Sequence, residues 1–233
     1  MAGSNILIES GGGESFSAYL ATPEGGAGAG ALVLQEIFGV NAVMRAICDG
    51  YAAKGYLALC PDLFWRQEPD IQITDQSEAE WAHAFALYRG FDEARGVEDA
   101  ITALSALRAQ PGCSGKVGAT GYCLGGKLAY LMATRSSVDC SVGYYGIGIE
   151  ATLNEAGDIP KPLMLHLAEK DQFVPPESQG QIMDNLGANP LVTIHSYPDR
   201  DHAFARVGGE HYDAADAGLA NSRTAAFFEE HLT

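Results

Sequence analysis

The sequence predicts an α/β fold with a mainly parallel central sheet and helices on both of its faces. Two observations carry that reading. Short, almost wholly apolar runs alternate with helix-length amphipathic stretches along the chain, and most of the runs stop at turn-forming residues. There is no internal repeat and no long linker. With 233 residues, 47% of them hydrophobic and 19% charged, the chain has material for a complete core, and a single domain over residues 1–233 is expected.

The elements follow in order. Residues 6–8 and 16–20, separated by Ser10-Gly11-Gly12-Gly13, read as an N-terminal hairpin. A Gly/Ala loop over 23–30 leads into the apolar run 31–35. Asn41 reads as the cap of a helix that continues to Lys54 and ends at Gly55. Residues 56–60 form the next buried strand, stopped by Pro61-Asp62. The polar, acidic stretch 67–80 is the one loop-like insertion and is placed as a rim over a functional site. Helices are expected over 81–88 and 92–108, a strand over 116–122 and a helix over 125–135. Strands over 141–145, 163–167 and 191–197 and helices over 177–186 and 212–231 complete the chain.

Charge and composition narrow the function classes. Thirty acidic residues against fourteen Lys and Arg give a formal charge of −16. Such a surface repels nucleic acid and anionic membranes, whose phosphates need clustered cations. No run approaches the ~20 apolar residues of a membrane helix, and the N-terminal Met1-Ala2-Gly3-Ser4-Asn5 has no basic stretch followed by an apolar core. A soluble, cytoplasmic protein is expected. Five cysteines, Cys48, Cys60, Cys113, Cys123 and Cys140, form no C-x-x-C pair and no zinc-finger spacing with His, so neither a disulfide framework nor structural zinc is expected.

Cys123 stands apart from the others. Gly121-Tyr122-Cys123-Leu124-Gly125-Gly126 lies where a strand gives way to a helix, in a G-x-nucleophile-x-G pattern. That pattern makes a sharp turn that strains and exposes its middle residue, and the glycines let strand and helix approach closely. A thiolate there sits at a helix N-terminus, where the backbone N–H groups favour negative charge, and the Leu124 N–H is positioned to donate to an oxyanion. A glycine-rich turn around a buried cysteine is the plain alternative. A phosphate loop fits less well, lacking both G-x-G-x-x-G and a Walker lysine.

The order of later residues favours catalysis. In the fold that uses such elbows, acid and histidine follow on loops after later strands. Asp171 lies just past the strand 163–167, and His202 in the loop after 191–197. A histidine takes the thiol proton and later activates water, while a carboxylate fixes its tautomer. Glu169 is a rival acid, one residue nearer the strand. His83, His166, His195, His211 and His231 do not match the order.

Together with the elbow, Gln35-Glu36-Ile37-Phe38-Gly39-Val40-Asn41, Cys60-Pro61-Asp62-Leu63, Val142-Gly143-Tyr144-Tyr145-Gly146 and Asp201-His202-Ala203-Phe204-Ala205-Arg206 resemble the dienelactone hydrolase family across nearly the whole chain. The resemblance implies an α/β-hydrolase fold and carboxymethylenebutenolidase-type opening of an unsaturated lactone during degradation of (chloro)aromatic compounds. It also implies a monomer, a small lactone or ester as substrate, and no metal or organic cofactor.

Glu36 ends the run 31–35, in the loop that supplies the second oxyanion amide in this fold; Ile37 N–H is the candidate donor. The resemblance gives Glu36 the role of activating the thiol. Its alternative is to cap the helix that starts at Asn41. Arg206 matches an arginine that holds a substrate carboxylate. Elsewhere the chain departs from the family pattern: Trp81 and Phe85 stand where an arginine and a tyrosine are expected, and Ala203 where a serine is. Arg66, Tyr88 and Arg89 are the nearby substitutes. Trp81 and Phe85 either make the substrate pocket more apolar or are a plain i, i+4 packing pair. A carboxylesterase or lactonase of other specificity, and a non-catalytic binding protein that merely retains the elbow, are the competing functions.

Overall fold

In the computed structural model, which describes residues 3–233, the N-terminal alternation becomes an antiparallel hairpin. Its strands are β1 (Ser4–Glu9) and β2 (Ser15–Ala21), with Ile8 opposite Phe16. Met1 and Ala2 of the N-terminal stretch lie outside the described residues. The chain divides into two compact units, Met1–Val117 and Gly118–Thr233.

Within Met1–Val117 the strand order is β1-β2-β4-β3. β3 (Gly28–Leu34) and β4 (Leu57–Pro61) are parallel, and β2 joins β4 antiparallel. The helix α1 (Ala42–Ala53) begins where the Asn41 side chain accepts from the N–H groups of Val43 and Met44. That satisfies two of the four orphan donors of its first turn. The cap is therefore Asn41. Gly55, at φ +94°, turns the chain into β4. The helix α3 (Glu93–Arg108) is capped by Asp92, and it packs with α1 on β3 and β4.

The acidic insertion is more ordered than a rim loop. Gly39 and Gln72 form a β-bridge, Ile71 is buried, and Ile73 N–H donates to Phe38 O. Ser77 and Glu80 make a reciprocal cap, so α2 (Glu78–Arg89) starts three residues earlier than the apolar pattern suggests.

Within Gly118–Thr233 the strands are all parallel. The order runs from β5 (Cys113–Tyr122, of which 118–122 belong here) through β6 (Cys140–Tyr144) and β7 (Leu163–Ala168) to β8 (Val192–Tyr197). β6 and β7 are buried along their whole length, as strands covered on both faces must be. The helices α4 (Leu124–Arg135) and α6 (Ala214–Leu232) pack on β6, and α6 also on β7; α5 (Pro176–Leu186) follows β7.

Some boundaries differ from expectation, and one element is added. β6 stops at Tyr144 because Tyr145 turns to φ +39°. α6 starts at Ala214 because the Asp213 carboxylate caps it, accepting from Ala215 and Asp216 N–H. A 3-10 helix at Ile149–Asp158 was not expected at all. Among the described residues no helix is long and apolar enough to cross a membrane.

Candidate active site

β5 runs into α4 through a single residue. Cys123 sits between them at φ +56° and ψ −113°, a conformation that costs an L-residue on the order of 1–3 kcal/mol. Backbone hydrogen bonds hold it there. Cys123 N–H donates to Tyr144 O at 3.1 Å, and Cys123 O accepts from Gly126 N–H at 3.0 Å. The neighbouring glycines are steric necessities. A Cβ on Gly121 would meet the Gly125 carbonyl oxygen at 1.9 Å, and one on Gly126 would meet Tyr144 O at 2.4 Å. Both obstacles are backbone and cannot swing aside. Gly121→Ala is therefore expected to cost roughly 3 kcal/mol or more; a melting temperature equal to the parent's would contradict this reading of the turn.

Asp171 comes from the turn after β7. Its Oδ1 accepts from Phe173 N–H at 2.8 Å and Val174 N–H at 3.2 Å, which leaves Oδ2 aimed at His202 Nδ1, 2.7 Å away. Glu169, the rival acid, is exposed, and its backbone N–H is tied to Tyr197 O. His202 comes from the turn after β8, which is bent by positive φ at Asp199 and Ala203. The two turns are joined: Lys170 N–H donates to Arg200 O, while Asp201 Oδ1 accepts from both Gln172 and His202 N–H. The imidazole lies between the edge-on rings of Tyr145 and Phe173, 5.1 and 4.9 Å between centroids. It also hydrogen-bonds Cys123.

Cys123, His202 and Asp171 thus form one connected array, each 3–5% exposed. Burial opposes a charge on the imidazole. The electrostatic interaction with Cys123, the Asp171 hydrogen bond and the Cys123 hydrogen bond outweigh it, and push His202 up to about 10. By contrast, burial pushes the Cys48 and Cys140 thiols up, as befits core cysteines. An array of thiol, imidazole and carboxylate in this order has the parts for acyl transfer.

Tyr145, Phe173 and Asp201 were missed as parts of this setting. Asp201 was legible as the residue before the histidine. Tyr145 lies in one of the segments that carry the family resemblance, but neither it nor Phe173 signals a place beside the imidazole, because that depends on strand ends meeting in space.

Leu124 opens α4 and is buried, and Arg206, 8% exposed, closes a turn onto Ala203 O. The other candidates belong to Met1–Val117. Glu36 and Ile37 are buried in the loop after β3; the Gln35 amide donates to Glu36 O and its carbonyl accepts from Leu63 N–H. Trp81 stacks on Phe85 and meets Phe38 edge-on, and its indole N–H donates to Asp75 O. Arg66 is committed to Asp99 by a two-pronged ion pair and lies over the Trp65 ring.

The family model for the dienelactone hydrolase family matches residues 16–232. The chain belongs to that family. It is 50% identical over 230 residues to the "Putative carboxymethylenebutenolidase" of Azospirillum brasilense, covering 98% of this chain and 99% of that one. To the carboxymethylenebutenolidase of Pseudomonas putida it is 41% identical, with 95% and 94% covered. The crystal structure of a "Putative Dienelactone Hydrolase" from Klebsiella pneumoniae superposes with a TM-score of 0.85 at 26% identity, over 97% and 98% of the two chains. The fold is that of the α/β-hydrolases, and the chain is a hydrolase acting on ester bonds.

Proposed function

We propose that this chain opens an unsaturated, carboxylate-bearing lactone of the carboxymethylenebutenolide type through a thioester on Cys123, in the breakdown of aromatic or chloroaromatic compounds. The observation that carries the reading is the Cys123–His202–Asp171 array, connected by hydrogen bonds and placed on an elbow that only glycine neighbours permit.

The reaction has two halves. The Cys123 thiolate attacks the lactone carbonyl; the ring C–O bond then breaks and the enolate leaves, still tethered to the acyl group. Forming the thioester removes the charge of the sulfur, and with it the largest influence holding the proton on His202. The imidazolium can now give that proton to the enolate. Neutral His202 then takes a proton from water, hydroxide adds to the thioester, and the C–S bond breaks to release the diacid and restore the thiolate. Leu124 and Ile37 amides are assigned to the oxyanion. Glu36 is assigned to thiol activation, which Glu36→Gln tests: unchanged Cys123 alkylation would remove it from the mechanism. No metal or organic cofactor enters any step.

Arg206 is assigned to the substrate carboxylate. A charge-assisted contact of this kind contributes about 1.5–3 kcal/mol, or roughly 10- to 100-fold. Kinetics on a panel of dienelactones and neutral aryl and alkyl esters tests both assignments. The anionic lactones should lead, and Arg206→Ala should raise KM for them while sparing the neutral esters. A carboxylesterase or lactonase of other specificity is the second reading. It is favoured by the stacked Trp81 and Phe85, by Ala203, and by the commitment of Arg66 to Asp99. Neutral esters leading the panel, with no effect of Arg206→Ala, would decide for it.

A further inference from the structure

Behind the elbow, a row of rings crosses the second unit's ladder. Tyr122, Tyr144, His166 and His195 are register partners on β5, β6, β7 and β8 and therefore point to one face, and each ring meets the next at 4.4–5.6 Å. Tyr197, two residues beyond His195, points the same way. Onto this face α6 lays Asn221, Arg223 and Thr224. His166 Nδ1 lies 2.8 Å from the Tyr197 hydroxyl and Nε2 lies 3.1 Å from Thr224 Oγ1. Thr224 Oγ1 lies 2.5 Å from the Tyr144 hydroxyl, which donates to Asn221 Oδ1 at 3.1 Å. Arg223 Nη1 donates to the Tyr197 hydroxyl at 3.1 Å.

The two ends fix every proton between them. A guanidinium only donates and an amide oxygen only accepts. Tyr144 spends its one proton on Asn221, so Thr224 donates to Tyr144. Thr224 therefore accepts from His166, whose proton is on Nε2, and Nδ1 accepts from Tyr197. The order is Arg223, Tyr197, His166, Thr224, Tyr144, Asn221, with no donor facing a donor. A second proton on His166 would face the Tyr197 hydroxyl proton. Burial, with the electrostatic influence of His195 and Arg223, holds His166 down at about 3, so it is neutral under ordinary conditions.

The same three strand residues serve the site with their backbones. Tyr144 O receives the N–H of Cys123. His166 O receives the N–H of Tyr145, whose ring lies against His202. Tyr197 O receives the N–H groups of Glu169 and Arg200, in the turns that carry Asp171 and His202. We propose that this buried relay, with His166 at its centre and Thr224 as its link to α6, is a positioning device that fixes Cys123, Asp171 and His202 relative to one another. His166, Thr224 and Tyr197 are positioning residues: they act through Tyr144, Tyr145 and the two turns. The inference rests on the catalytic reading of Cys123, and its test uses a readout that needs no knowledge of the substrate.

Thr224→Val keeps the shape of the side chain and removes the hydroxyl, leaving His166 Nε2–H and Tyr144 without their shared partner. Small misplacements of reacting groups are costly in rate. We expect roughly tenfold losses both in kcat and in the rate of Cys123 carboxamidomethylation by iodoacetamide, followed on the Cys123 peptide, with KM within about twofold. Thr224→Ser should recover both rates to within about twofold. Tyr197→Phe should reproduce the loss, and the double variant should lose little more, since the relay acts as a unit. Wild-type alkylation and kcat in either single variant, measured well below its melting temperature, would overturn the proposal even if stability fell. Should Thr224→Val fail to fold, Tyr197→Phe decides by the same two rates. If wild-type Cys123 alkylates readily but no lactone or ester is turned over, the substrate reading fails and alkylation still judges the relay.

Discussion

Cys123→Ala is expected to lower kcat/KM on the preferred lactone by about 10⁴-fold or more, while the protein stays folded. The size follows from the chemistry. Without the sulfur there is no acyl-enzyme, and only binding and the oxyanion amides are left to help water attack directly. The fold should survive because the backbone of residue 123, not its side chain, makes the hydrogen bonds to Tyr144, Gly126 and Lys127. Alanine is as uncomfortable as cysteine at φ +56°, so the strain is unchanged. Steady-state kinetics and a melting curve on the same preparation check both halves. Retention of more than a hundredth of the parent activity would remove Cys123 from the centre of the mechanism.

The same variant probes the imidazole. Against burial, His202 is held up at about 10 by its electrostatic interaction with Cys123 and by the hydrogen bonds to Asp171 and Cys123. Burial favours the neutral ring. Deleting the sulfur leaves burial opposed by Asp171 alone, so the pKa must fall and the imidazolium must lose its proton at lower pH. The imidazole resonance, followed by NMR through a pH titration, should move in that direction. An unshifted titration would mean that sulfur and ring do not share charge.

Asp171→Asn is the second large effect. One oxygen of the carboxylate is committed to Phe173 and Val174 N–H. The substituted side chain keeps that oxygen in place and turns its NH₂ towards His202 Nδ1. An amide N–H cannot accept, so Nδ1 must itself become the acceptor and the ring proton moves to Nε2. The ring can then no longer take the proton of Cys123. A loss of about 10³–10⁴ in kcat is expected, with KM little changed. The iodoacetamide rate at Cys123 should fall in step, because the thiolate loses its imidazolium partner. A loss confined to KM would assign Asp171 to binding.

Much of this was legible in the sequence, for identifiable reasons. The parallel strands β6 and β7 are legible as short, mainly apolar runs because both faces are covered. The helix starts at Asn41 and Asp92 were announced by residues whose side chains accept from the first turn. Cys123, Asp171 and His202 stand out as candidates because the elbow has a local signature and strand ends order the other two, and the structure brings the three side chains together. What was missed depended on encounters between distant segments. The 67–80 insertion read as a polar loop, since its anchors, Ile71 against Gly39 and Gln72 beside it, become visible only when the chain folds back. The capping pair Ser77 and Glu80 was legible but was hidden by the expectation of a loop. His166 reads in the sequence simply as a histidine inside a strand. Its interruption of the apolar run Leu163–Ala168 was the one hint that a polar partner, Thr224, waits on the opposing helix.

The most direct test is to trap the intermediate. Rapid acid quench of the enzyme with a dienelactone, followed by intact-mass and peptide-mass spectrometry, should reveal an adduct on Cys123. Ring opening expels no fragment, so that adduct should carry the full mass of the lactone, form within the first turnover and disappear as substrate is consumed. Turnover at the normal rate with no adduct at quench times down to a fraction of a turnover, or with the adduct on a different residue, would contradict the account.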